Sequence, residues 1–546
     1  MESLTGSLER RWNAVSAPTK TAFYSALMVG FLAHATFLTN RLYNHDSLLS
    51  RTVGGPSTFA LQQGKWFNLP AGLFTHGHIY SPAVILTVGL LILAITAALT
   101  VSILKLQSKI WAAVTGAFLV LFPSVMCTNV YLSTSTFFSA LLLATAAVYF
   151  TTKYRYGLWP GILLLTVSCG TYSVYIGYAA GLFLILEIIA LLEGKMSVKE
   201  ILLTGLKYLF VLALSAVLYY VVLQIALRLA GTTLMNYRGI DEVGHFSLSS
   251  LLSVTVEAYR KVYYFFYYGI HLYRSSFHIE PLFRVMNQAT ILLAAVFSLT
   301  IGLKYKIWKS IPRILLTVVL VLLFPLAIHA IAVLGQNAGT HWLMIYPFVL
   351  VYVYMVFCAD RIESSLLEQS VGTSLKKATK VSVRLFALAA LVVSFLLLRQ
   401  WFITTNQGYE YLRLTNENSY TAGVLLVDDM RETSGYAADT PVLFAGSGAP
   451  EAFQYKTGDF AQITSDTGVG YTGLNEAIID NTRLTYFMRN FVGVSITYAD
   501  AETGARLSSL PEVKAMPIYP AAGSIALIDG VLVVKLSDIT PAPAAG

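Results

Sequence analysis

Apolar residues run along this chain in long blocks, separated by short polar segments. A helix that crosses a bilayer needs roughly 20 mostly apolar residues, and about eleven blocks approach that length. They fall near residues 21–39, 82–104, 110–126, 134–150, 158–171, 175–192, 200–228, 287–303, 313–334, 342–358 and 383–399. The block at 158–171 is short, and its boundary with the next is poorly marked. Arg10, Arg11 and Lys20 precede the first block, but no clear small-residue cleavage site follows it, so no cleavable signal peptide is expected.

Positive residues orient such a chain, because Lys and Arg gather in cytoplasmic loops. One set of loops holds Arg10, Arg11 and Lys20, then Lys105/Lys109, Lys153/Arg155, Lys195/Lys199, Lys304/Lys306/Lys309 and Arg361/Lys376/Lys377/Lys380. These alternate correctly with the apolar blocks and are assigned to the cytoplasm. The segments 40–81, 127–133, 172–174, 229–286 and 335–341, and the tail from 400, then face outward. An odd number of spans puts the N-terminus inside and the tail outside.

Composition agrees with a membrane body. Of 546 residues, 56% are hydrophobic and 12% charged, against about 25% charged in an ordinary soluble chain. Cys127, Cys169 and Cys358 lie in or beside apolar blocks and match neither a zinc pattern nor a disulfide framework. The net charge of +8 is unevenly spread: residues 400–546 hold 8 Lys/Arg against 16 Asp/Glu. A basic, apolar body (1–399) therefore carries an acidic, polar tail (400–546), which marks a domain boundary. The body's cations sit in short loops, so they do not signal nucleic acid. The expected fold is a polytopic α-helical membrane protein with a small extracytoplasmic α/β domain. In the tail, 418–432 and 475–491 read as helices and 441–446 as a buried strand. Residues 524–536 read as two strands joined by Asp529-Gly530, a strong hairpin signal.

Candidate chemistry gathers in the outer segments, where loops beyond about 12–15 residues usually have a task. The stretch NRLYNHDSLLSR (40–51) places His45 and Asp46 just past the first apolar block. Asp46 can be an N-cap, accepting backbone N–H bonds from a following helical turn, and Asn44 can do the same. Alternatively it is a functional carboxylate at the membrane surface. LLSRTV and STFALQQGKWF, in the same segment, read as short surface helices, and Lys65 and Trp66 offer a phosphate contact and a sugar platform or an interfacial anchor. His76 and His78 form a His-x-His pair, too few ligands by themselves for a metal site. In VEAYRKVYYFFYYGIHLYR (256–274), rings interleave with Arg260, Lys261 and Arg274. That suits an interfacial anchor or a wall for a phosphorylated sugar. His341, in the turn 335–341, could line an outward cavity with Gln336 and Asn337.

An apolar span, NHDSLLSR, a Gly-Lys-Trp about twenty residues later, many spans and an acidic α/β tail together resemble the serotype-conversion type of membrane glucosyltransferase. The closing segment MPIYPAAGSIALIDGVLVVKLSD (516–538) resembles the ending of some members of that family. The resemblance implies the GT-C class: polytopic enzymes that take a sugar from a polyprenyl-phosphate carrier and work on the outer face. The catalytic acid of that class lies in the first outer loop, often in a pair of acids. Here the pair is His45-Asp46, so only Asp46 carries over, as general base of an inverting transfer. His45, Lys65, Trp66, Arg260, Lys261, Arg274 and His341 are the candidates for substrate and phosphate contacts. The implied partners are a polyprenyl-phosphate-linked sugar (glucose, by the resemblance), a surface glycopolymer acceptor and the bilayer. No metal or other cofactor is expected.

Two other classes compete. A transporter or flippase of a lipid-linked sugar should carry polar residues near the bilayer midplane, where Glu187 is the main carboxylate, near an inner end. A scaffold docking other envelope proteins through its tail would have no need of Asp46, Lys65 and an aromatic-basic loop. No glycine loop with lysine is present to cradle nucleotide phosphates, which disfavours an ATP-driven pump.

Overall fold

The computed structural model describes residues 9–10, 12–50, 58–78, 81–235, 248–268, 281–334, 341–367, 374–454 and 477–539. Arg274, Gln336 and Asn337 lie outside the described residues. The helices in chain order are α1 (Ala17–Ala33), α2 (Ala35–Thr39), α3 (Ser47–Ser50), α4 (Thr58–Gln62), α5 (Asn68–His76), α6 (Pro82–Leu104), α7 (Lys109–Leu121), α8 (Pro123–Asn129) and α9 (Thr134–Lys153). There follow α10 (Leu158–Tyr172), α11 (Ile176–Glu193), α12 (Val198–Leu229), α13 (Leu248–Tyr263), α14 (Pro281–Lys304), α15 (Ile311–Ile328), α16 (Ala330–Leu334), α17 (Val349–Leu367) and α18 (Ser374–Glu432). The rest is β1 (Val442–Ala445), α19 (Asn481–Phe487), α20 (Ala501–Ser509), α21 (Pro511–Ala515), β2 (Ile525–Ile528) and β3 (Val531–Lys535). The chain forms two compact units. One comprises Met1–Leu38, Pro56–Asn129 and Ser133–Asn406; the other comprises Thr39–Gly55, Val130–Leu132 and Gln407–Gly546.

The first unit is helical. Among the described residues, 7 helical segments are long and apolar enough to cross a membrane, or 8 if the bent pair α7–α8 is one span. The weakly marked boundary near residue 172 has a physical cause. Tyr172 is extended (φ −159°, ψ 102°) and a 3-10 turn, Ser173–Tyr175, follows. Ser215 of α12 donates to Ile162 O, and Thr166 donates to Ser215 O. Tyr208, lower on α12, stacks on Phe183 of α11 at 4.1 Å. The chain therefore reverses at the turn: α10 runs with α12, and α11 runs against it.

Helix ends follow the local chemistry. A reciprocal Ser197–Glu200 capping box opens α12, and Gly194 in the left-handed region (φ 65°) closes α11. Small residues let helices approach closely: a Cβ on Gly116 of α7 would lie 2.5 Å from Ala22 O of α1. Asp360 of α17 accepts the N–H of Ser108 at 2.8 Å, and Trp111 donates to Glu363 at 2.8 Å, pinning the start of α7. A buried network joins His34 to Val120 O and Asn129, whose amide oxygen accepts from Thr134.

The second unit is built on a three-stranded sheet of order β1-β3-β2. β1 pairs with β3 in parallel (Val442↔Leu532), and β2 with β3 antiparallel (Ile525↔Val534). Asp529 (φ 50°) and Gly530 (φ 75°) both take positive φ, as a two-residue hairpin turn of the I′ kind requires. Leu426 and Met430 of α18, Leu484 and Phe487 of α19, and Val534 of β3 form the core of one sheet face. Tyr43 and Leu48, from the segment before and within α3, are buried in that same core. Asn416 clamps the backbone of Tyr43, accepting from its N–H and donating to its carbonyl, each at 3.0 Å.

Two sequence expectations need correcting. The apolar block at 383–399 and the helix expected at 418–432 belong to one uninterrupted helix, α18. The Gly and Asn residues between them do not end it, because Asn406 bonds Ala33 O and Thr36 while Asn416 holds Tyr43. The helix expected at 475–491 begins at Asn481 and ends in a π turn, Met488–Val492.

Candidate functional site

The local fold around Asp46 is set by its neighbour Asn44. The Asn44 side-chain oxygen accepts from the N–H groups of Asp46 (3.1 Å) and Ser47 (2.9 Å), and Ser47 Oγ accepts from Asn44 N–H (2.7 Å). This reciprocal box is the N-cap of α3. Asn44, which the sequence also offered as a cap, is fully buried and takes this part. The Asp46 side chain is 52% exposed.

Arg483 of α19 lies against the Asp46 carboxylate. Its Nη2 is 3.5 Å from Asp46 Oδ1, its Nε donates to His45 O at 3.3 Å, and its Nη1 pairs with Asp480. Asp480 is itself the N-cap of α19, accepting Arg483 N–H at 2.8 Å. Asn481 fixes that helix to the sheet through Phe444 O and Gly446 O at 2.7 and 3.1 Å. On the other side, His45 Nε2 stands 3.7 Å from Asp46 Oδ2, with the ring edge-on to Tyr131. Burial lowers the His45 pKa below its usual 6.5; Asp46 opposes this and Arg483 adds to it. The imidazole is thus a neutral neighbour at physiological pH rather than a second charged group. Arg483 and Asp480 were missed by sequence reasoning. An Asp three residues before an Arg within NEAIIDNTRLTYF is an ordinary helix-start pattern, and nothing in it points to residue 46.

The remaining candidates belong to the first unit. Lys65 donates to Gln63 Oε1 at 2.8 Å, with its ammonium 5.5 Å from the Phe137 ring and 5.6 Å from that of Tyr172. Those two rings stack at 4.1 Å and 4°. Cation and aromatic faces together suit a phosphorylated sugar. Trp66 packs face-on against Gly170, where any Cβ would come within 2.3 Å of the indole, so much of its ring serves packing rather than an open platform. Arg260 pairs with Glu257 at 2.7 Å and is exposed, while Lys261, largely buried, lies 3.9 Å from the same carboxylate. His341 is half-buried and its carbonyl accepts from Met344 N–H at the start of a 3-10 turn. His76 bonds Ser135 at 2.9 Å and His78 is exposed. Among the described residues, no three His, Cys, Asp or Glu side chains group as metal ligands.

A helical body with spans fit for a bilayer, and a carboxylate flanked by arginine and histidine, suit group transfer to or from a membrane-borne substrate. The chain matches the family described as Glucosyl transferase GtrII over residues 35–359, well over half its length, and belongs to that family. Glycosyl transfer is therefore its class of chemistry, with a sugar donor and an acceptor as partners. No curated protein and no solved structure matches the chain. The family match includes Asp46 and Lys65, whereas Arg483 lies beyond it.

Proposed function

We propose that this protein moves a sugar, glucose by family, from a polyprenyl-phosphate carrier to a surface glycopolymer, with Asp46 as general base. The observation that supports the reading is the pairing of the Asp46 carboxylate with Arg483, with His45 beside it. The carboxylate is half-exposed and lies between Arg483 and His45, on a backbone held by Asn44. The acceptor hydroxyl gives its proton to Asp46 as its oxygen attacks the anomeric carbon. The bond from that carbon to the carrier phosphate breaks, and the phosphate leaves with the electron pair. Attack opposite the leaving group inverts the anomeric configuration. A positioned carboxylate base contributes about 10²–10⁴-fold. Arg483 holds the carboxylate in place and offers a cation beside the reacting groups, where fixed charge stabilises the charge that develops.

The lipid phosphate supplies activation, so no nucleotide is needed on the outer face. The distribution of Lys and Arg supports about eleven crossings with the N-terminus cytoplasmic and the acidic tail outside. The reversal at Ser173–Tyr175 supports counting α10 and α11 as separate passes. The purified protein in vesicles, offered polyprenyl-phosphate glucose or UDP-glucose with a glycopolymer acceptor, tests the donor. Transfer from the lipid-linked sugar alone is expected; transfer from UDP-glucose alone would overturn the reading.

A further inference from the structure

The first unit holds a cavity of about 800 Å³ between the ends of α6, α9, α11 and α12. That volume is in the range of small-molecule sites. Lys105 and Lys153 line it, both exposed. Lys105 closes α6 in the left-handed region (φ 53°), and Lys153 ends α9 with its ammonium 5.4 Å from the Tyr149 ring. Among the described residues, neither lysine pairs with a carboxylate. Glu187 of α11 also lines the cavity, at 5% exposure, and its Oε1 has no hydrogen-bond partner among the described residues. Across from it, α12 presents Gly205, where a Cβ would lie 2.9 Å from that oxygen. The absence of a side chain there gives the carboxyl its room.

Buried polar atoms are nearly always satisfied, and this one borders a space large enough to admit a donor. The two lysines suit a phosphate. Apolar residues of the wall, among them Leu186 and Ile201, suit hydrocarbon. We infer that the cavity binds the headgroup of an anionic lipid, with the phosphate at Lys105 and Lys153 and a headgroup hydroxyl donating to Glu187. A lipid-linked sugar phosphate and a glycerol phospholipid share this chemistry. The site does not depend on the role given to Asp46.

Native mass spectrometry of the whole protein in mixed micelles tests it, with phosphatidylglycerol, phosphatidic acid, phosphatidylcholine and polyprenyl-phosphate glucose as probes. The anionic, hydroxyl-bearing lipids should be retained at least tenfold over phosphatidylcholine. Preference for polyprenyl-phosphate glucose over phosphatidylglycerol identifies the sugar carrier as the source, and the reverse identifies bulk phospholipid. The double variant K105M/K153M should lose that retention. Glu187→Met, with unchanged thermal unfolding, should weaken the hydroxyl-bearing lipids severalfold and leave phosphatidic acid unaffected. Equal retention of phosphatidylcholine, wild-type retention in the lysine variant, or an equal loss of phosphatidic acid in Glu187→Met would overturn the site.

Discussion

Arg483 Nη2 lies 3.5 Å from Asp46 Oδ1, while Arg483 is held in turn by Asp480 and His45 O. The guanidinium therefore fixes where the carboxylate points. A misplacement of about 1 Å in a reacting group can cost on the order of 10²-fold in rate. Arg483→Ala should lower kcat by roughly tenfold to a hundredfold with the donor KM little changed. Arg483→Lys, which keeps the charge but loses the fork, should recover part of the rate. Initial transfer rates in vesicles decide this, and wild-type kcat in Arg483→Ala would remove Arg483 from the account.

Asn44 sets the same carboxylate from the backbone side. Losing a side-chain N-cap costs about 0.5–2 kcal/mol. Asn44→Ala should lower unfolding stability by about 1 kcal/mol and reduce transfer as well, because Asp46 N–H loses its acceptor. Asn44→Asp, which keeps the acceptor, should lose little of either. Thermal unfolding followed alongside transfer rates measures both effects.

His45 gives the structure a dependence on acid. Its folded pKa lies below the usual 6.5 because burial disfavours the charged ring. A depressed pKa means that the unfolded chain binds the proton first as pH falls, so stability is full above about 6.5 and declines below it. His45→Gln has no proton to take up and should flatten this part of the profile. Unfolding midpoints between pH 7.5 and 5 test it; an unchanged slope in His45→Gln would show that other groups govern the acid response.

Lys65 rests over the stacked Phe137–Tyr172 pair, a place suited to a lipid phosphate. Hydrogen bonds to charged groups contribute about 1.5–3 kcal/mol, so Lys65→Met should raise the donor KM roughly tenfold or more. Lys65→Arg should stay near wild type. An unchanged donor KM would remove Lys65 from ground-state donor binding.

The apolar blocks were legible because helix length in a bilayer is set by its thickness. The Asp529-Gly530 turn was legible because few residues accept positive φ at two successive positions. Other features were decided by contacts distant in sequence. Asn44 and Asp46 are equally good caps on paper, and only the backbone path shows Asn44 accepting from the N–H groups of Asp46 and Ser47. The join between the apolar block at 383–399 and the helix at 418–432 was not legible, because Asn406 and Asn416 make tertiary hydrogen bonds inside one long helix. Arg483 was invisible as a site residue, since its ion pair with Asp46 arises only when Tyr43 and Leu48 enter the core of the second unit.

The role of Asp46 is tested most directly by Asp46→Asn, which keeps the side chain's shape and leaves the Asn44 cap intact. With polyprenyl-phosphate glucose as donor, transfer should fall by about 10²-fold or more while membrane insertion and the unfolding midpoint stay near wild type. Transfer at the wild-type rate by Asp46→Asn would contradict the assignment of Asp46 as the base.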